Sequence, residues 1–188
     1  VAALFDDYAK RFDTHLVDTL AYSAPQQLLE ALLRINMHYT RCYDLGCGTG
    51  LMGEVLRPYV DHLAGCDLSM AMLHEAKIKA IYDRLECDDC TSALMRQKPQ
   101  QFDLITAADV LVYIGSLTAL FQAVHAALKT DGLFAFTTQA TEGEYFVIGD
   151  DLRAAHSAAY LHEQARLANL EIYLCAPVSV RQDRDHPV

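Results

Sequence analysis

The sequence predicts an α/β fold, a doubly wound parallel sheet with helices on both faces. Three observations carry this. Short apolar runs recur at RCYDL (41–45), HLAGCDL (62–68), DRLEC (83–87), FDLITAAD (102–109) and LFAFTTQ (133–139), separated by stretches of helical patterning. The runs are apolar throughout instead of alternating, as strands covered on both faces are. A glycine-rich turn, Asp44-Leu-Gly-Cys-Gly-Thr-Gly50, joins the first run to a helix. A length of 188 residues suits a single domain (1–188). Residues 1–40 are expected as a helical cap and 41–188 as the α/β core.

The elements follow in order. Residues 2–12 place Leu4, Phe5, Tyr8 and Phe12 at helical spacing, and 14–21 continue the stripe with Leu16, Val17 and Leu20. Pro25 opens a helix at its first turn, which buries Leu28, Leu29, Leu32 and Leu33. The helix after the glycine turn runs to about Arg57, where Pro58 ends it. Ser69 caps the helix that follows the second strand. Leu117 to Leu128 form a helix with Thr130-Asp131-Gly132 as its stop signal. The stretch Thr141 to Asp151 is acidic and holds two glycines, so it reads as a loop, either a plain connection or a lid. Ser157 caps a helix to about Leu167, and LEIYLCAPVSV (170–180) is expected as a sixth strand interrupted at Pro177.

Composition narrows the function. Fifteen basic against twenty-five acidic residues give a net charge of −10, which repels phosphate backbones, and Lys and Arg form no run. Nucleic acid is therefore not expected as a partner; a small molecule is, with a protein acceptor as the alternative. No apolar run reaches the length of a membrane span. No basic segment followed by an apolar one opens the chain, which begins at Val1, so no secretory signal is expected. Of six cysteines, Cys42, Cys66 and Cys175 sit in or beside apolar runs and Cys47 in the glycine turn. Cys87 and Cys90 flank Asp88 and Asp89, whose charge holds thiols protonated. No second pair or histidine stands at metal-ligand spacing, so no metal site is expected, and reduced thiols point to the cytoplasm.

The glycine turn carries the chemistry. Its glycines allow positive φ and close approach of backbone to a ligand, and the helix start beyond offers free N–H groups. Ligands of open α/β sheets lie beyond the C-terminal strand ends, so a nucleotide or nucleoside site is expected here. Gly48-Thr-Gly50-Leu-Met-Gly53 satisfies the dinucleotide pattern, and Asp67 follows nineteen residues after Gly48, as that pattern wants. Two details point elsewhere. The glycine run starts earlier, at Gly46, and Asp44 closes the strand before it. A negative charge there is unfavourable beside a pyrophosphate but suits a ligand bearing an ammonium group. No Gly-Lys-Ser/Thr phosphate loop occurs.

DLGCGTG (44–50) resembles the first motif of class I S-adenosylmethionine-dependent methyltransferases. GCDLS (65–69) with Met72 resembles the second, CDD (87–89) the acidic motif after strand three, and FDLITAADVLVYIG (102–115) and LKTDGLFAFT (128–137) the later ones. FDDYAKRFDTHLV (5–17) and RAAHSAAY (153–160) are similar to the methyltransferase domain of predicted bacterial methyltransferases that often carry tetratricopeptide repeats. The chain itself contains no such repeats. The resemblance implies a Rossmann-like sheet, N-terminal helices over the cofactor site, and S-adenosyl-L-methionine as cofactor. It also implies a last antiparallel strand; the chain stops at Asp185-His-Pro-Val188, where that strand would begin, so it is expected to be missing.

The same resemblance implies residue roles. Gly46, Cys47 and Gly48 would present backbone to the methionine and ribose portions, above Asp44. Asp67 would accept hydrogen bonds from both ribose hydroxyls; its other reading is the cap of the next helix. Leu68 and Met72 would pack on the adenine, unless Met72 is core. Asp89, in preference to Asp88, would accept the adenine amino group, and the Ala107 carbonyl would face the ligand ammonium. Tyr8 and Arg11 would reach the methionine carboxylate, unless Tyr8 only continues its apolar stripe.

Methyl transfer is an in-line displacement that rests on alignment. A base is needed only where the acceptor must lose a proton. The catalytic candidates are His156 and Tyr113, followed by His15 and Tyr160. The plain alternative for His156 is a surface residue at a helix start. Asp109-Val-Leu-Val lacks the N/D-P-P-Y/F/W clamp used on base amino groups, which disfavours DNA methylation. Two other functions remain open at this point: an NAD(P)-dependent oxidoreductase, although Tyr-x-x-x-Lys is absent, and a non-catalytic module that binds S-adenosylmethionine.

Overall fold

A computed structural model describes residues 22–180. The helix expected over residues 2–12, its continuation, and the residues Tyr8, Arg11 and His15 lie outside that range. Within it, β1 (Tyr39–Leu45), β2 (Val60–Asp67), β3 (Arg84–Cys87), β4 (Phe102–Ala107) and β5 (Leu128–Phe136) form one sheet in the order β3-β2-β1-β4-β5. Every pairing in it is parallel. The chain winds outward from β1 to β3, then returns to place β4 on the other side of β1. The C-terminal ends of β1 and β4 therefore flank the switch point, where such sheets bind ligands.

Both faces are covered. On one, α1 (Ala24–Leu33) and α2 (Leu51–Leu56) pack Leu28, Leu32, Met52 and Leu56 against Leu63 and Leu104. On the other, α5 (Thr118–Ala127) and α6 (Ala158–Leu167) pack Phe121, Val124, Tyr160 and Leu161 against Tyr43, Ile105, Phe134 and Phe136. Leu104 and Ile105, adjacent on β4, fall into opposite clusters and are both fully buried, the period-two signature of a strand covered on both sides. Pro25 sits in the first turn of α1, and Pro58 turns the end of α2 into a short 3-10 segment, Arg57–Tyr59. Ser69 caps α3 (Met70–Ile78) and Ser157 caps α6, each hydroxyl accepting an N–H three residues on.

Four features differ from the sequence expectations. A short helix, α4 (Cys90–Met95), follows β3 where none was expected, with Asp89 as its cap. The Thr130-Asp131-Gly132 stop lies inside β5: α5 ends at Ala127, and Asp131, at φ +62°, bulges out of the strand. The register to β4 jumps there from Phe102↔Leu128 to Leu104↔Leu133. The acidic loop is partly ordered into a second sheet of β6 (Gln139–Ala140), β7 (Phe146–Ile148) and β8 (Ala154–His156), in the order β6-β8-β7. Residues 170–180 form no strand. Pro177 offers no ladder donor, and no described strand pairs with the segment. Tyr173 stands 80% exposed, while the far end returns to α1, where Ser23 N–H donates to the Val180 carbonyl (2.9 Å).

Among the described residues, no helix is long and apolar enough to cross a membrane. All six cysteines are free thiols.

Candidate cofactor site

The loop between β1 and α2 is shaped by two glycines that face opposite ways. Gly46, at φ +57°, has its would-be side-chain position filled by Val110, from the turn after β4; a Cβ there would lie 2.9 Å from Val110 Cγ1. Gly48, at φ +54°, has no described residue within 4 Å of that position. The loop is thus packed beneath and open above, a cradle that a side chain at 48 would fill.

Asp67, at the end of β2, fastens this loop. Its two carboxylate oxygens accept Gly48 N–H (2.9 Å) and Ser69 N–H (2.8 Å). The parallel register, Leu45 opposite Cys66, brings the two strand ends level and makes the Gly48 contact possible. Asp67 is not the cap of α3; Ser69 is, and its hydroxyl accepts Met72 N–H (3.1 Å). The Cys47 N–H is spent on the Cys66 carbonyl (2.9 Å), and burial beside Asp44 and Asp67 pushes its thiol well above the usual range. Cys47 is therefore an inert, packed residue.

Asp44 lies beneath the loop, 1% exposed. Tyr82 Oη donates to its Oδ2 (2.6 Å) and Thr106 Oγ1 to its Oδ1 (2.8 Å). Burial pushes its carboxyl up to about 6; the two hydroxyls oppose that rise and the charge of Asp67 adds to it.

The two acids after β3 have separate partners. Asp88 is ion-paired with Arg96 and accepts Asp89 N–H (2.8 Å). Asp89 accepts Ser92 N–H (3.0 Å) at the start of α4, and these bonds from Ser92 hold its carboxyl below the usual range. Asp89 thus stands as a charged helix cap near the end of β3. Leu68 is 48% exposed beside this edge, whereas Met72 is 1% exposed, which makes Met72 a core residue and not a surface for adenine. The Ala107 carbonyl accepts Thr137 N–H (3.1 Å), so one of its lone pairs is used within the fold.

His156 is corrected from catalytic candidate to structural latch. It is 1% exposed, with both ring nitrogens engaged. Nε2 lies 3.0 Å from the Ile114 carbonyl and 2.9 Å from that of Gly115, so Nε2 carries the proton. Nδ1 then accepts the Thr138 hydroxyl at 2.7 Å. The ring stacks on Tyr160 and touches Phe146. Burial lowers its pKa, so it stays neutral and has no lone pair to offer a substrate. Tyr160 is also structural, since its buried hydroxyl accepts Leu117 N–H (2.9 Å). His156→Ala is expected to cost about 3–5 kcal/mol of stability, from lost packing and unsatisfied carbonyls. The unfolded imidazole takes a proton before the folded one, so this contribution is complete above pH 6.5 and declines as pH falls below it. Urea denaturation at pH 8 and 5.5 checks this: the variant should lose part of the parent's acid sensitivity.

Tyr113 remains beside the open end of β4. The Arg153 guanidinium sits 5.7 Å from its ring centroid, and Arg153 also faces Asp109 (3.7 Å). Asp109 is held at φ +61°, its N–H donating to Thr137 Oγ1 (2.8 Å). Burial raises the Tyr113 phenol, so it stays protonated near neutral pH. The sequence reading missed Tyr82, Thr106 and Arg153. Only the glycines at 50, 53 and 65 hinted at Tyr82, because its ring lies where each would carry a Cβ. That packing accounts for the third glycine of the dinucleotide pattern without a dinucleotide.

The comparisons with known proteins agree with this geometry. Residues 10–173 match the family model described as a methyltransferase domain. The probable S-adenosylmethionine-dependent methyltransferase CRG1 of Saccharomyces cerevisiae is 29% identical over 133 residues, covering 68% of this chain and 45% of that protein. The ubiquinone biosynthesis O-methyltransferase of Idiomarina loihiensis is 31% identical over 98 residues, 50% of this chain and 40% of its own. The chain spans about half the length of the curated relatives it matches. Among solved structures, an S-adenosylmethionine-dependent methyltransferase from Clostridium acetobutylicum superposes with a TM-score of 0.70 at 20% identity, covering 98% of this chain and 96% of that one. DhpI in complex with SAH gives 0.69 at 21% identity, covering 89% and 84%. These two likenesses speak to the fold alone. The family match extends over most of the chain and includes the glycine loop, Asp67 and the strand ends that surround them, and the chain belongs to the class I S-adenosylmethionine-dependent methyltransferase domain family.

Proposed function

We propose that this domain binds S-adenosylmethionine over the glycine loop and directs its methyl group to a small-molecule acceptor. The observation that carries the reading is the open face of Gly48 beside a carboxylate, Asp67, already oriented by two backbone N–H groups. The residues present fit the cofactor. Asp67 is a carboxylate at the end of β2, the group type that accepts from two ribose hydroxyls. Asp44 supplies negative charge beneath the loop for a ligand bearing an ammonium group. Leu68 offers exposed apolar surface at the far end, near Asp89.

When bound, the cofactor supplies a methyl group already activated on sulfur. The protein's work is then alignment. Tyr113, Asp109 and Arg153, at the end of β4, are the polar groups suited to orient an acceptor. His156 keeps the 114–115 turn, and with it Tyr113, in place. Tyr8 and Arg11 are proposed at the methionine carboxylate on the family resemblance. The relatives named for ubiquinone biosynthesis support a small acceptor with a reactive oxygen, and the acidic composition disfavours nucleic acid. Free thiols support a reducing, cytoplasmic setting. The segments 5–17 and 153–160 support placement with the bacterial proteins that often carry tetratricopeptide repeats, and the domain is proposed as one unit over 1–188 with residues 1–40 as its cap.

The test is release of S-adenosylhomocysteine from S-adenosylmethionine in the presence of a panel of phenols, carboxylic acids and amines, with proteins as a separate arm. Acceptor-dependent release with a small molecule is expected. Release with proteins alone would overturn the acceptor class. Binding of the cofactor with no release under any acceptor would favour a non-catalytic binding module.

A further inference from the structure

We propose that Tyr82 is a positioning residue of the cofactor site, wedged among three glycines so that its hydroxyl holds the Asp44 carboxylate fixed and charged beneath the glycine loop. The proposal rests on the cofactor reading above. Tyr82 lies in the connection between α3 and β3, well away in sequence from the loop it supports. A Cβ added at Gly50 would meet its Cε2 at 3.1 Å, one at Gly53 would meet that atom at 2.9 Å and overlap the hydroxyl, and one at Gly65 would meet its Cε1 at 3.0 Å. Gly50 and Gly53 belong to the turn and helix after β1, and Gly65 to β2. The ring therefore fills a slot that exists only because three separate positions carry no side chain. At the end of that slot, Tyr82 Oη donates to Asp44 Oδ2 at 2.6 Å.

The groups around Asp44 define what this bond does. Thr106 Oγ1, on β4, donates to the other carboxylate oxygen. Asp67 on β2 contributes a like charge, and the nearby Cys42 and Cys47 thiols are neutral. Among the described residues no cation acts on Asp44, and the two hydroxyls are the groups that favour its charged form against burial. Removing one of them lets the carboxyl take up a proton at a higher pH. The loop then loses the negative charge that a cofactor ammonium would meet.

The experiment is calorimetric titration with S-adenosylhomocysteine from pH 5 to 8.5, for the parent, Tyr82→Phe and Gly53→Ala. The parent is expected to lose affinity in acid with a midpoint near pH 6. For Tyr82→Phe the midpoint should rise by about one unit, which gives roughly five-fold weaker binding at pH 6, about two-fold weaker at pH 7 and binding close to the parent's at pH 8.5. Gly53→Ala keeps the hydroxyl but crowds the ring, and should move the midpoint the same way. Recovery at high pH separates positioning from a merely structural role, which would weaken binding equally throughout. Uniform loss, or an unshifted curve for both variants, overturns the proposal. A parent that binds at no pH contradicts the cofactor reading itself, and the proposal with it; a parent that binds normally beside unshifted variants contradicts the proposal alone.

Discussion

Asp67→Ala is expected to weaken binding of S-adenosylhomocysteine by about 100-fold or more. Two hydrogen bonds from ribose hydroxyls to a charged carboxylate are each worth roughly 1.5–3 kcal/mol, and every 1.4 kcal/mol is tenfold in affinity. The same substitution leaves Gly48 N–H and Ser69 N–H without the acceptor that now fixes the loop to the end of β2. The loss should therefore exceed what the ribose contacts alone supply. Stability should fall only modestly, because Ser69 still caps α3. Calorimetry of a variant shown by circular dichroism to be folded decides the matter, and affinity equal to the parent would mean that the site lies elsewhere.

Asp44→Asn should act in opposite directions on stability and binding. In the folded protein this carboxyl titrates near 6, above its ordinary 3.8. Below 3.8 both states are protonated and the buried site carries no charge. Between 3.8 and 6 the unfolded chain ionises first, so stability falls as pH rises. Above 6 the full cost, about 3 kcal/mol at most, is in place. An asparagine avoids that cost, and the Tyr82 and Thr106 hydroxyls can rotate to suit an amide. At pH 7.5 the variant is expected to be about 1–3 kcal/mol more stable than the parent, and between pH 4 and 7 it should lose the decline that Asp44 imposes on the parent. Its affinity for S-adenosylhomocysteine should drop, since the charge beneath the loop is gone. Urea denaturation across pH tests the first half, and a less stable variant at pH 7.5 would contradict it. A buried charge that costs stability and serves binding is the usual compromise at functional sites.

The parts of this fold that were legible in the sequence are those whose causes are local. The glycine turn between a strand and a helix, the Ser69 and Ser157 caps, Pro25 and Pro58 all act within a few residues of themselves, and each stands where the sequence puts it. The parallel sheet was legible because strands such as β4 are apolar on both faces. What could not be read depends on partners distant in the chain. Tyr82 reaches Asp44 across 38 positions and Thr106 reaches it across 62. His156 read as a catalytic candidate, or else as a surface histidine at a helix start, whereas Phe146, Tyr160 and the 114–115 carbonyls close around it. Residues 170–180 have strand composition, but a strand also needs a neighbour. The helix at 90–95 had its signal in Asp89 followed by Cys-Thr-Ser-Ala-Leu-Met, masked because Asp89 was assigned to a ligand and not weighed as a cap.

The central claim is that the glycine loop and Asp67 hold S-adenosylmethionine and not a dinucleotide. Calorimetric titration with S-adenosylhomocysteine, which cannot turn over, with NAD and NADP as parallel controls, tests it most directly. Micromolar binding of S-adenosylhomocysteine with no heat from either dinucleotide is the expected result. Binding of NAD or NADP alone would contradict the account and make Gly48-Thr-Gly50-Leu-Met-Gly53 the operative motif.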